Sequence, residues 1–143
     1  MKVLSLFDGI SCGMLALQRA GIPVECYDAF EIDKYAVTVS KRNFPVIVHH
    51  GNVYDGDFTQ FKGYDLLLGG SPCTYWSIAK KDREVDCNGE GFRLFKEYVR
   101  ALEESGCKYF LYENNYSVHQ NIKDEITRVL GVEPIMINSA LVS

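Results

Sequence analysis

Apolar residues along the chain fall in short runs broken by glycine, proline and polar turns, and the spacing switches between strand-like and helical. Lys2 to Phe7 is mostly apolar and predicts a strand. Asp8-Gly9-Ile10-Ser11-Cys12-Gly13 follows as a glycine-bearing turn. Met14 to Ala20 carries apolar residues at helical spacing, and Gly21 stands where a helix would stop. Val24 to Phe30 predicts a second strand, ending near Glu31. Lys34 to Asn43 predicts a helix, with Pro45 shortly after its end. Val46 to His49 predicts a short β-branched strand, and Tyr64 to Leu68 a buried one running into Gly69-Gly70. Lys80 to Gly91 is polar and predicts a loop. Phe92 to Glu104 has a helical stripe, Tyr109 to Tyr112 predicts a strand, and Ile122 to Leu130 a helix closed by Gly131. Ile135 to Ile137 is expected to begin a last strand.

Strands alternating with helices predict an α/β fold, a parallel sheet with helices on both faces. Ligands in such folds gather at the carboxyl ends of the strands. Asp8–Gly13, Glu31, Asn52, Gly69–Cys73 and Glu113 each follow a predicted strand, so all five are expected on one rim. The chain reads as one domain over 1–143, without internal repeats or low-complexity linkers.

Composition narrows this picture only slightly. Of 143 residues, 47% are hydrophobic and 24% charged, which is ordinary for a globular domain. No apolar run approaches the roughly 18 residues of a membrane span. The apolar start is cut short at Asp8, so it does not read as a signal peptide. A cytoplasmic protein without a membrane partner is the expectation. The five cysteines, Cys12, Cys26, Cys73, Cys87 and Cys107, include no Cys-x-x-Cys pair. Neither a metal site nor a disulfide framework is expected. Most of the five are expected to be small buried residues, with Cys12, Cys26, Cys87 and Cys107 structural. The net charge of −4 gives no general attraction to phosphate, so nucleic-acid binding would need a local basic patch.

Several short motifs carry candidate chemistry. A glycine turn between strand and helix lets backbone approach a ligand and aims amides at it. Gly9 to Gly13 also spells Gly-x-Ser-x-Gly, the nucleophile elbow of serine hydrolases, and a merely tight turn is the third reading. Glu31 lies roughly 20 residues on, where a ribose-binding carboxylate is placed in dinucleotide folds. In Leu66-Leu67-Leu68-Gly69-Gly70-Ser71-Pro72-Cys73, the glycines free the chain to leave the sheet and Pro72 fixes the backbone before Cys73. A thiol so held can be presented into a cleft as a nucleophile. Glu113, at the end of its strand, offers a general acid on the same rim.

Gly-Gly-Ser-Pro-Cys at 69–73 and Glu-Asn at 113–114 resemble the two catalytic motifs of DNA cytosine-5 methyltransferases. Phe7-Asp8-Gly9 resembles the family's first cofactor motif, and Glu31 sits at its ribose-binding acid. Gly51-Asn52-Val53 resembles the adenine-contacting motif, and Gly91-Phe92-Arg93-Leu94-Phe95 the helix after the catalytic loop. The matches keep family order across nearly the whole chain, and the wording is most similar to phage or prophage members. The resemblance displaces the hydrolase reading of Ser11.

It implies a Rossmann-like S-adenosylmethionine-dependent methyltransferase sheet. The implied cofactor residues are Phe7, Asp8, Gly9, Ile10, Ser11, Glu31, Ile32, Asn52, Val53, Ser71 and Pro72, with Phe7 stacking near the cofactor. Cys73 is implied to add to carbon 6 of a flipped-out cytosine in double-stranded DNA, while Glu113 serves ring nitrogen 3. The Ser77–Gly91 loop would close over the base, with Arg83, Lys80 and Lys81 either at phosphates or solvated. Trp76 is expected to pack the loop, and His49-His50 to end a strand at the surface. Two positions depart from the family: Asn52 replaces the usual Asp, and Asn115 the usual Val. The family's Gln-x-Arg-x-Arg motif, target-recognition domain and final helix are not in this sequence. The expectation is therefore a domain truncated before target recognition, inactive alone. It would be completed by a C-terminal complementing chain, self-associate, or survive as a non-catalytic cofactor- or partner-binding remnant.

Overall fold

The computed structural model describes residues 1–141; Val142 and Ser143, the last two positions of the expected 1–143 domain, lie outside the described residues. Five parallel strands form one sheet: β1 (Lys2–Leu6), β2 (Cys26–Phe30), β3 (Val48–His49), β4 (Leu66–Gly69) and β5 (Tyr109–Tyr112). Four helices accompany them: α1 (Cys12–Arg19), α2 (Lys34–Asn43), α3 (Glu90–Ser105) and α4 (Gln120–Leu130). The spatial order is β3-β2-β1-β4-β5. The chain works outward from β1 to β3, then returns to lay β4 on the other side of β1. That reversal places a crevice at the carboxyl ends of β1 and β4, the usual ligand position in such sheets.

The strand residues sort onto two faces, as period-2 geometry requires. Leu4 and Leu6 pack with Phe58, Phe61, Leu67, Tyr98 and Ala101, which puts α3 on their face. Val3 points the other way, into a core with Met14, Leu17, Tyr27, Ala29 and Ile47, under α1. Helices thus cover both faces. A third cluster, Trp76, Phe92, Phe95, Val118 and Ile122, ties α3 and α4 to the segment after β4.

Local chemistry explains the helix starts. Asp33 accepts from the amides of Tyr35 and Ala36 at 2.8 and 3.3 Å and caps α2, a device worth about 1 kcal/mol. The start of α3 is capped from a distance. Glu84, in the preceding loop, accepts from the amides of Glu90 and Gly91 at 2.9 and 3.0 Å.

Two expectations fail here. Ile135 to Ile137 forms no strand: it pairs with no neighbour, and Ile135 and Ile137 are 86% and 74% exposed. A strand exists through its ladder, and apolar residues alone do not supply one. The cysteines are also less buried than expected. Only Cys107 is buried; Cys26 and Cys87 are half-buried, and Cys12 and Cys73 are exposed. Cys12 opens α1 on its solvent side, where no apolar partner waits.

Trp76 is fully buried, as expected for a packing residue. Its indole lies against Gly91: a Cβ added there would meet the ring Nε1 at 2.6 Å and Cε2 at 2.8 Å. A buried indole cannot swing away, so Gly91→Ala is overpacked and should cost about 1–3 kcal/mol. Urea unfolding at unchanged m-value will measure it, and an unchanged midpoint would show that the ring is mobile.

Candidate functional site

The Phe7–Ser11 turn leaves β1 in an unusual backbone path. Phe7, Gly9 and Ser11 have φ of 56°, 58° and 67°, so two non-glycine residues are left-handed. Such residues cost of order 1–3 kcal/mol each and persist only where the surroundings over-determine them. Asp8 supplies that determination. Its Oδ1 accepts from the Ser5 hydroxyl at 2.6 Å and the Tyr27 hydroxyl at 2.7 Å, and its Oδ2 accepts from Ser11. Burial, with the Asp8 charge second, holds the Tyr27 phenol protonated far above its ordinary range.

Glu31, at the end of β2, reaches across to this turn. One carboxylate oxygen accepts from the Gly9 amide at 2.8 Å; the other accepts from Ile32 and Asp33, both at 2.8 Å. A carboxylate offers about four acceptor sites, so three internal bonds leave room for about one outside donor. At the end of β3, the Asn52 Oδ1 accepts from the Tyr54 amide at 3.1 Å, and its amide group remains free to donate. Tyr54 in turn donates to Glu90 at 2.7 Å. Burial, then the bond to Glu90, pushes this phenol up to about 12.

These strand ends enclose a cleft of about 230 Å³. Of the expected cofactor residues, Phe7, Glu31, Ile32, Asn52, Val53 and Pro72 line it. Asp8, Gly9, Ile10, Ser11 and Ser71 do not. The Asp8 and Ser11 side chains face inward, and Ser11 is completely buried, which removes any role as an exposed elbow nucleophile. Tyr54, Tyr75, Glu90 and Leu94 also line the cleft and were not singled out from sequence. Glu90 and Leu94 lie in or beside the motif that opens α3, a usable signal; Tyr54 gave none.

Cys73 stands beside this cleft in an exposed 3-10 turn, Cys73–Tyr75, directly after Pro72. The neighbouring turn is strapped to the end of β5. The Glu113 amide donates to the Gly69 carbonyl at 2.9 Å, and the Asn114 side chain donates to the Ser71 carbonyl at 3.0 Å. Ser71 and Tyr112 join their hydroxyls at 2.7 Å. A Cβ on Gly70 would collide with the Glu113 carbonyl, so only glycine allows this approach.

The polar loop before α3 is partly engaged in structure. Arg83 donates to the Ser117 carbonyl at 2.8 Å, so that guanidinium is held by protein rather than presented outward. Lys80 lies over the Tyr75 ring at 5.2 Å. His49 ends β3 half-buried and His50 follows it exposed, as expected of a strand end at the surface, and both rings also have partners. His50 bonds Asp28 at 2.6 Å and stacks on Phe30, while His49 contacts Ser40 at 3.1 Å. A wider groove of about 460 Å³ runs along α4, but Arg128 there is paired with Glu125 and no expected site residue reaches it. Among the described residues, no three His, Cys, Asp or Glu side chains converge as metal ligands. No described helix is long and apolar enough to cross a membrane.

The strand order and the cleft at the reversal define a Rossmann-like domain. Residues 1–130 match the family model of C-5 cytosine-specific DNA methylases, and the chain belongs to that family. It is 38% identical over 118 residues to the orphan methyltransferase M.SPRI of Bacillus phage SPR, covering 80% of this chain and 26% of that protein. It is 34% identical over 116 residues to the type II methyltransferase M.HgiCII of Herpetosiphon aurantiacus, covering 79% of this chain and 25% of that one. The chain thus spans about a quarter of the length of these relatives. Two solved structures share the fold. One is a mutant DNMT2 of Spodoptera frugiperda, with a TM-score of 0.70 at 23% identity, over 91% of this chain and 40% of that one. The other is S. pombe Dnmt2 methyltransferase, with a TM-score of 0.68 at 20% identity, over 92% and 39%.

Burial holds the His49 imidazole below its ordinary value of 6.5. The folded protein therefore binds this proton less tightly than the unfolded chain. His49 leaves stability intact above pH 6.5 and removes it as pH falls through its lowered folded value. In urea titrations, the stability gap between wild type and His49→Gln should shift against wild type as pH falls from about 8 to 5.5. A gap independent of pH would contradict the half-buried, neutral ring.

Proposed function

We propose that this chain is the cofactor-binding and nucleophile-bearing part of an enzyme that methylates carbon 5 of cytosine in double-stranded DNA. The observation that carries the reading is the strap at the sheet rim. Glu113 and Asn114 are bonded to the Gly69–Ser71 turn that leads into an exposed Cys73, beside a cleft floored by Phe7, Glu31 and Asn52.

The lining of the cleft supports S-adenosylmethionine as its ligand. Glu31 retains about one acceptor site for a ribose hydroxyl. Asn52 meets an adenine edge with an amide, and Phe7, Ile32, Val53 and Pro72 give apolar surface. S-adenosylmethionine supplies an electrophilic methyl group when bound. The chain's own residues prepare its acceptor. The cytosine flips out of the duplex, because a stacked base keeps carbon 6 from any side chain. The Cys73 thiolate adds to carbon 6, and Glu113 donates to ring nitrogen 3 as charge develops there. Carbon 5 is then a nucleophile. Carbon 5 takes the methyl group, and loss of its proton to solvent then re-forms the carbon 5–carbon 6 double bond, expels the Cys73 thiolate and returns the nitrogen 3 proton to Glu113.

Target recognition and strong DNA binding are assigned elsewhere. The net charge of −4 gives no general attraction for phosphate. The curated relatives are about four times as long as the matched region. Methyl transfer is accordingly proposed for this chain together with a C-terminal complementing part.

Tritiated methyl transfer to mixed-sequence DNA tests this, with and without a separately supplied C-terminal fragment. Activity should appear only with the fragment, and Cys73→Ser should abolish it while cofactor affinity stays near wild type. DNA carrying 5-fluorocytosine at the target should trap Cys73 covalently, since fluorine cannot leave as a proton. Full turnover by Cys73→Ser would remove the thiol from the mechanism. Cofactor binding without transfer in every combination would favour a non-catalytic remnant.

Glu31 should govern binding. Charge-assisted hydrogen bonds are worth about 1.5–3 kcal/mol, so Glu31→Ala should weaken S-adenosylmethionine binding by roughly one to two decades. Because Glu31 also holds the Gly9 amide, the unliganded variant should melt earlier. An unchanged dissociation constant by calorimetry would place the ribose elsewhere.

A further inference from the structure

On the inner side of the Phe7–Ser11 turn, four side chains form a hydrogen-bonded file from β3 to β1. The Ser11 hydroxyl donates to the Asp8 Oδ2. The Ser11 and Ser40 hydroxyl oxygens are 2.5 Å apart, and the Ser40 oxygen is 3.1 Å from His49 Nε2. Ser11 and Ser40 are completely buried, so bulk water does not compete for these bonds.

Proton counting fixes the direction of every link. A carboxylate only accepts, and a hydroxyl has one proton. Ser11 gives its proton to Asp8, so it must accept from Ser40. Ser40 has then given its own proton, so it must accept from His49. The donor is therefore His49 Nε2, and the neutral ring carries its proton there. The other nitrogen, Nδ1, is buried and has no hydrogen-bond partner among the described residues. A bare ring nitrogen in that position leaves no N–H unsatisfied, which agrees with the same tautomer.

We propose that His49 and Ser40 are positioning residues for the cofactor turn. The one-way file from His49 Nε2 through Ser40 and Ser11 to Asp8 holds the left-handed backbone that presents Phe7 to the cleft. His49 touches neither the cleft nor Cys73; it acts through Asp8. The inference rests on the reading of that cleft as the S-adenosylmethionine site.

The test is calorimetry of S-adenosylmethionine binding to the full chain, with thermal melts of each unliganded variant. His49→Leu and Ser40→Ala remove a link and should weaken binding about tenfold. His49→Gln keeps an N–H donor near the Nε2 position and should restore affinity close to wild type. A cooperatively folded His49→Leu that binds as wild type does would overturn the proposal. So would a His49→Gln as weak as His49→Leu, because the donor would then not be what matters. Absence of binding by wild type would remove the cofactor reading itself, a separate failure. Should the variants not fold, nitrogen NMR of histidine-labelled wild type at pH 8 decides the wiring. The Nε2–H tautomer at His49 supports the file, and the Nδ1–H tautomer refutes it.

Discussion

An inward-facing carboxylate at the end of β1 sets the conditions for the rest of the site. Desolvating a carboxylate is costly unless donors replace its water. Asp8 has three, from Ser5, Tyr27 and Ser11, drawn from β1, β2 and the turn itself. Satisfying it ties those segments together. The left-handed residues Phe7 and Ser11 flank Asp8 on either side of that tie. The outer side of the same turn then belongs to Glu31, which accepts from Gly9. Two carboxylates therefore hold one loop from opposite sides. The inner one fixes shape, and the outer one keeps part of its capacity for a ligand.

The far wall of the cleft depends on a cation. Arg100 of α3 donates to the carbonyls of Val53 and Gly56 at 3.0 and 2.9 Å, and stacks 4.5 Å from the Phe58 ring centroid. Glu97 and Glu104 flank it at 2.6 and 3.2 Å. A planar guanidinium with several fixed donors suits this bridging better than an ammonium. It pins the segment after β3 to α3, and so places Asn52 and Val53 opposite Phe7. The Tyr54–Glu90 bond closes the same wall from the start of α3. The shape of this cleft is thus coupled to the packing of a helix that begins where the polar loop ends.

What the sequence revealed and what it hid divide along the range of the forces involved. The periodicity of Lys34–Asn43 and Tyr109–Tyr112 placed α2 and β5 with the bounds seen in the structure, because helix and strand patterning is local. The rim was legible for a similar reason: strand ends in a parallel sheet converge by topology. Ile135–Ile137 misled because a strand also needs a neighbour, which no local pattern announces. The fates of Asp8, Ser11, His49 and Arg83 were hidden because each is decided by a partner distant in sequence or by which way a side chain turns. Glu84 belongs with them, since it caps α3 from six residues before the helix starts.

The segment around Cys73 shows how an exposed thiol can be held by an apolar anchor. Cys73 occupies a short turn with its side chain in solvent, where packing supplies no order. Order arrives from both flanks. Before it, the Gly69–Ser71 turn is bonded to Glu113 and Asn114. After it, Trp76 is sunk into the cluster formed by Phe92, Phe95 and Ile122, and its own amide returns to the Cys73 carbonyl at 3.0 Å. Gly91 is what lets the indole sit so close to α3, and Glu84, bonded to the Gly91 amide, closes the loop back onto the helix start. Cys73 is thus held between a turn bonded to β5 and an indole packed against α3. Such bracketing orders the thiol without burying it, which is what the proposed reaction would ask of a group whose misplacement by about 1 Å is costly.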